Sequence, residues 1–165
     1  DKKTRWQLGC LGVTVYLMKH TGGCHCGQVK FETDLEPMVV AQCNCKSCRR
    51  ITGSLALGGM YAEDEITITG NTDTYSYQGG SGHENVAHFC TNCHVRVAMY
   101  PEVMEGVVGI PVGTFDNANL LRPKLEIWRA EKLDIIKDID GIVERCEDSG
   151  IAERLGALIE ALENR

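Results

Sequence analysis

The sequence lacks an excess of positive charge. Its 17 Lys and Arg stand against 23 Asp and Glu, a formal charge of −6 with neutral histidines. No basic face is left over to neutralise phosphates, which argues against a general nucleic-acid binder. The sequence also lacks any apolar run near the ~20 residues that a membrane-spanning helix needs, and it shows no internal repeat or low-complexity tract. The apolar stretch Leu8 to Met18 is too short for a span, and no small-residue cleavage site follows it, so it makes a poor secretion signal. With neither signal nor span, a cytoplasmic protein with reduced cysteines and no membrane partner is expected. At 43% hydrophobic and 24% charged, the 165 residues have the composition of one ordinary globular domain, not of a disordered or fibrous chain.

Cysteine, by contrast, is abundant: there are nine. Seven fall in three clusters, Cys24-His25-Cys26, Cys43-Asn44-Cys45-Lys46-Ser47-Cys48 and Cys90-Thr91-Asn92-Cys93, leaving Cys10 and Cys146 over. Neighbours two or three apart are poor disulfide partners for each other and good chelators. A C-x-C in an extended segment turns both sulfurs to one side, and a C-x-x-C in a tight turn gathers two around one ion. A closed structural zinc site takes four ligands, which Cys24, Cys26, Cys90 and Cys93 supply from two distant segments. Cys43, Cys45 and Cys48 supply three. Three protein ligands with an open fourth position, for water or an incoming thiolate, is the catalytic arrangement. Two zinc ions per chain are therefore expected. Other pairings of the clusters, or closure of the second site by a histidine or acid from elsewhere, stay open. Cys90 to His94 also matches the C-x-x-C-H haem-attachment pattern, but such attachment goes with secretion, and a chain full of other thiols is a poor host for it.

Around the clusters the chain reads as short strands separated by turns. Val29–Thr33 and Ile66–Ile68 alternate apolar and polar residues. Met38–Ala41, Thr74–Tyr77, Val86–Phe89, Val95–Tyr100 and Val107–Ile110 continue the pattern, and Leu55–Tyr61, with Gly58-Gly59 inside it, reads as a bulged strand. Evenly spaced short strands predict an antiparallel β architecture. After Asp138 the character changes. Ile151, Leu155, Leu158, Ile159 and Leu162 form a 3.6-residue stripe that Asp148 or Ser149 can cap, which predicts a C-terminal amphipathic α-helix. Its stripe either packs on the same domain or forms a homodimer contact. Residues 1–20 read as an N-terminal extension or tag, with Met18 as a candidate start and an edge strand at Val13–Leu17 as the alternative. Residues 21–137 read as the zinc-binding β domain, and 138–165 as the helical extension.

The residues around the cysteines carry a family resemblance. Gly22-Gly23-Cys24-His25-Cys26-Gly27-Gln28-Val29, followed by Phe31, resembles the opening motif of the glutathione-dependent formaldehyde-activating enzyme family, which includes centromere protein V. Cys43 to Arg50, with Thr52-Gly53-Ser54, is similar to its second motif, and Phe89-Cys90-Thr91-Asn92-Cys93 to its third. Gly113-Thr114-Phe115-Asp116-Asn117 is similar to its late turn. The resemblance spans about Thr21 to Trp128 in order and spacing. It implies a mainly β, β-tent zinc-binding fold, a structural zinc on the first and third motifs, and a catalytic site on Cys43, Cys45 and Cys48. The family reaction joins glutathione and formaldehyde into S-hydroxymethylglutathione, so the implied activity is that of a carbon–sulfur lyase. The alternatives are a non-catalytic zinc-stabilised binding module and a related zinc enzyme acting on a different thiol adduct.

Glutathione is anionic, so Lys46, Arg49 and Arg50 beside the second cluster are candidate substrate contacts, against the simpler role of solvated charges. Gly79–Gly82 could supply N–H groups or a lid, or be a plain hairpin loop. His83 and His88 are candidates for proton transfer, or surface and packing histidines. Trp128 is most simply a core residue. One departure stands out: the family has glycine after the third C-x-x-C, which permits a positive φ, and here His94 occupies that place.

Overall fold

A computed structural model describes residues 19–150 and Glu160. In chain order the described strands are His20–Gly23 (β1), Lys30–Thr33 (β2), Val39–Cys43 (β3), Ala56–Ala62 (β4), Thr67–Thr69 (β5), Thr72–Gln78 (β6), Glu84–Cys90 (β7), Arg96–Pro101 (β8), Val107–Pro111 (β9), Leu125–Ile127 (β10) and Glu144–Arg145 (β11), and one helix, Lys46–Thr52 (α1), follows β3. They form two sheets, a small one in the order β1-β2-β5 and a large one in the order β11-β10-β3-β4-β9-β8-β7-β6. No helix among the described residues is long and apolar enough to cross a membrane.

Period-two alternation explains the small sheet. In β2, Phe31 and Thr33 are buried while Lys30 and Glu32 face solvent, so one face is apolar and must be covered. Phe31 meets Phe115 edge-on, with ring centroids 4.8 Å apart, and both join a core with Val40, Tyr61, Val108 and Ile110 from the large sheet. The Gly113–Asn117 turn is held against β1 by backbone contact. The Asp116 N–H donates to the Thr21 carbonyl at 2.8 Å, and the Thr21 hydroxyl to the Asp116 carboxylate at 2.6 Å. A Cβ on Gly22 would lie 2.2 Å from the Thr114 carbonyl oxygen, so only glycine permits this approach.

Two expectations change. Gly58-Gly59 forms no bulge, because β4 pairs in continuous register with both β3 and β9. Gly59 makes room instead, since a Cβ there would lie 3.3 Å from the Pro37 ring. The register shift falls between His88 and Phe89, where β7 pairs with β8. The large sheet is not purely antiparallel either: β10 runs parallel to both β3 and β11. Long connections, residues 128–143 between β10 and β11, make this possible, since parallel neighbours need a dozen or more residues to cross over. The amphipathic helix expected from Ser149 falls on residues outside the described ones. The segment before it folds back on β10 as β11, with the Trp128 N–H donating to the Asp148 carbonyl at 2.8 Å.

Candidate metal centres

The first and third cysteine motifs occupy two facing turns. Cys24 and Cys26 lie in the turn between β1 and β2; Cys90 ends β7, and Cys93 lies in the turn to β8. The four sulfurs lie within 4.8 Å of one another, with Cys24 to Cys26 at 3.5 Å and Cys26 to Cys90 at 3.7 Å. A zinc ion bound tetrahedrally at about 2.3 Å needs sulfur–sulfur edges of about 3.8 Å, so these residues fit zinc as they stand. The first link is a turn, not the extended segment expected: the Gly27 N–H donates to the Cys24 carbonyl at 3.0 Å, and the Val29 N–H to the Cys24 sulfur at 3.2 Å. Burial opposes ionisation of Cys24. The Val29 N–H and the thiols of Cys90, Cys26 and Cys93 outweigh it and bring the thiol down to about 6. His25, between Cys24 and Cys26, is exposed. His94 keeps the second turn intact by adopting φ 57, the left-handed conformation, while its N–H donates to the Cys90 carbonyl at 2.9 Å. The turn therefore survives the loss of glycine at a cost in backbone strain.

The second motif makes a different site. Cys43 ends β3, Cys45 caps α1 by accepting the Cys48 N–H at 3.3 Å, and Cys48 lies in the first turn of the helix. Their three sulfurs lie within 4.8 Å of one another, and no fourth Cys, His, Asp or Glu joins them among the described residues. The Cys43 and Cys48 thiols, with the N–H groups of Cys48 and Gly80, outweigh burial and bring Cys45 down to about 2. The thiols of Cys45 and Cys48, followed by burial, push Cys43 above the ordinary thiol range. A cavity of about 170 Å³ opens on the three sulfurs, with Tyr77, Gly80, Arg96 and Trp128 on its walls.

Residues 19–131 match the family described as glutathione-dependent formaldehyde-activating enzyme. The chain belongs to that family. A curated relative from Halomonas elongata, named "Putative glutathione-dependent formaldehyde-activating enzyme", is 28% identical over 158 residues, covering 82% of this chain and 95% of its own. A crystal structure of a Rhodobacter sphaeroides protein is similar in fold, with a TM-score of 0.50 at 20% identity over 64% of this chain and 98% of that one. In this family member the two cysteine clusters have the donor sets and spacing of metal sites, one with four sulfurs and one with three.

The charged residues beside the second motif point elsewhere. Lys46 and Arg50 are exposed, and the Arg49 Nε donates to the Asn44 carbonyl at 3.2 Å; none of the three lines the cavity. The cation on the wall is Arg96, from β8. Its signal in the sequence is slight: a lone charge inside the apolar run Val95–Tyr100. Tyr77, at the end of the run Thr74–Tyr77, carries no motif in the sequence either. Its hydroxyl is buried without a hydrogen-bond partner, and burial, followed by the charge of Cys48, pushes it up to about 12. The Gly79–Gly82 loop is a hairpin turn and a cavity wall at once. A Cβ on Gly80 would lie 2.8 Å from the Trp128 ring and 2.9 Å from the Cys45 Cβ. Trp128, expected in the core, is half-buried on the cavity wall at φ 58. His83 is exposed and 3.6 Å from Glu102, while His88 packs on Tyr100 at 4.8 Å; neither reaches the cavity.

Asn44, between two of the clustered cysteines, anchors them from behind. Its Nδ2 donates to Glu126 Oε1 at 3.0 Å and to the Ile127 carbonyl at 3.3 Å. Glu126 is fully buried, and Gln42 Nε2 and Lys132 Nζ also approach Oε1 at 3.0 Å. Arg145 Nε lies 3.3 Å and Arg129 Nη1 3.7 Å from Oε2. A buried carboxylate needs such partners, and three of them come from the stretch after β10.

Proposed function

We propose that the three-cysteine site holds zinc with its fourth position open, binds a thiol there, and makes or breaks the adduct of that thiol with an aldehyde. Glutathione and formaldehyde, giving S-hydroxymethylglutathione, are the reference pair. The observation that carries this reading is the inequality of the clusters: four sulfurs complete one tetrahedron, while three face a cavity. Family membership and the name of the Halomonas relative support it. The four-cysteine site is read as a second, structural zinc. Reduced thiols at both sites suit a cytoplasmic setting.

Zinc bound there would favour the thiolate of the substrate over its thiol, supplying a nucleophile at neutral pH. In the forward direction a carbon–sulfur bond forms, the carbonyl π pair moves onto oxygen, and the proton given up by the thiol ends on that oxygen. The chain's own part is placement and charge. The N–H groups of Cys48 and Gly80 fix Cys45 and, through it, the cluster. Arg96 stabilises negative charge gathering on the oxygen, and the unpartnered Tyr77 hydroxyl donates to it.

Metal analysis on protein purified under reducing conditions tests this, followed by titration of the cobalt-substituted protein with glutathione and with simple alkyl thiols, and by formaldehyde turnover. Two ions per chain, with one cobalt spectrum perturbed by thiol, support the reading. Two ions with no thiol response indicate a zinc-stabilised module without chemistry. A single ion, held by the four-sulfur cluster, refutes the mechanism.

A further inference from the structure

The walls of the cavity say which thiol. β3 presents Val39, Ala41 and Cys43 to it, one face of the strand at period two. The register that delivers a ligand sulfur therefore also lays an aliphatic track leading away from it. Met60 and Met99 converge above Gly109, whose absent side chain leaves their sulfur and methyl groups 3.2 and 3.3 Å from where a Cβ would sit. Ile110, Leu57 and Ile127 continue the wall. Methionine side chains adapt to chains of differing shape.

Against this stands one cation. Among the described residues, and apart from the cysteines, Arg96 is the charged side chain on the wall, and Tyr77, the unpartnered hydroxyl, is near the same sulfurs. Glutathione carries two carboxylates and an ammonium. One guanidinium can match one of them, and burying the rest against aliphatic walls is unfavourable. A volume of about 170 Å³ resembles the roughly 150 Å³ apolar cavity that accepts benzene, so about six carbons fit.

We propose that the thiol bound at the three-cysteine site carries an apolar chain of up to about six carbons, with at most one anionic group close to its sulfur, and that glutathione is a poor occupant. This rests on the thiol-binding role proposed above.

The test is a titration of the fully cobalt-loaded protein with straight-chain thiols from ethanethiol to hexanethiol and with glutathione, following the cobalt absorption bands. Affinity should rise about fourfold per methylene, and glutathione should bind more weakly than butanethiol. In Met99→Gln, a near-isosteric change of the wall, the gain per methylene should shrink. A flat series, a gradient unchanged by Met99→Gln, or glutathione binding as tightly as hexanethiol would overturn the proposal while leaving the thiol-binding function standing. If no thiol alters the spectrum, both fall.

Discussion

Glutamine in place of Glu126 would test how the three-cysteine site is held. The carboxylate is fully buried: Gln42 and Asn44 donate to Oε1 at 3.0 Å, and three cations pair with it, Lys132 at 3.0 Å from Oε1, Arg145 at 3.3 Å and Arg129 at 3.7 Å from Oε2. A glutamine keeps one acceptor oxygen but turns its NH₂ toward groups that can only donate. Breaking a buried ion pair costs about 3–5 kcal/mol. The low end applies here because the cations keep other partners. Lys132 and Arg129 both retain Asp138, Arg145 retains the carbonyls of Ile139 and Ile142, and only Lys132, at 11% exposure, is poorly solvated. With a urea slope of about 2 kcal/mol/M, a loss of about 3 kcal/mol moves the midpoint down by about 1.5 M. Because Asn44 leans on this carboxylate, metal affinity at the three-cysteine site should also fall about 10–100-fold, with the four-cysteine site unchanged. Urea unfolding by circular dichroism and competition with a chromophoric chelator measure the two effects. A midpoint shift below about 0.3 M, or metal lost first from the four-cysteine site, would refute the reasoning.

Three other substitutions probe the backbone. His94→Gly should stabilise the protein by about 1 kcal/mol, raising Tm by about 2–4 °C in calorimetry, because it relieves a left-handed residue at φ 57. Gly22→Ala should lower the urea midpoint by the equivalent of about 2–3 kcal/mol, since its Cβ would lie 2.2 Å from the Thr114 carbonyl oxygen and 2.4 Å from the Phe31 ring. Gly80→Ala should push the β6–β7 hairpin off Trp128 and Cys45 and pull its N–H from the Cys45 sulfur. Chelator competition should then show about tenfold weaker metal binding at the three-cysteine site and none of this at the other.

What could be read from the sequence is what is encoded locally. The two cysteine groups follow from spacings of two and three residues and from counting to four, and the fold brings together the expected sulfurs. Alternation marks β2, with Phe31 and Thr33 buried. Glycines inside β4 are less legible, because bulge and close approach leave the same trace, and here Gly59 accommodates Pro37. The cavity is illegible for another reason. Tyr77, Arg96 and Trp128 come from β6, β8 and the end of β10, which meet only once the strand order of the large sheet is formed. Lys46, Arg49 and Arg50, adjacent to the ligands in sequence, are carried away from the cavity by α1. Proximity along the chain is a guide to chelation, where the turn itself is the device, and a poor guide to substrate contacts.

The two clusters also differ in what a metal would do for the fold. The four sulfurs join the β1–β2 turn of the small sheet to the β7–β8 turn of the large one, and Cys26 and Cys90 are 64 residues apart. The three sulfurs span only residues 43–48, at a strand-to-helix junction already closed by α1 and its cap. Loop-closure entropy grows with the logarithm of loop length, so cross-linking the long segment constrains the unfolded chain by about 2 kcal/mol more than the short one. Metal binding at the four-sulfur site is then folding free energy in large part, and any open or exchanging position there would put the contact between sheets at risk. The short cluster carries no such burden. Its geometry is set by Asn44, Glu126 and the N–H of Gly80 rather than by a fourth protein sulfur, so a metal held there would have one position to spend on a ligand from outside.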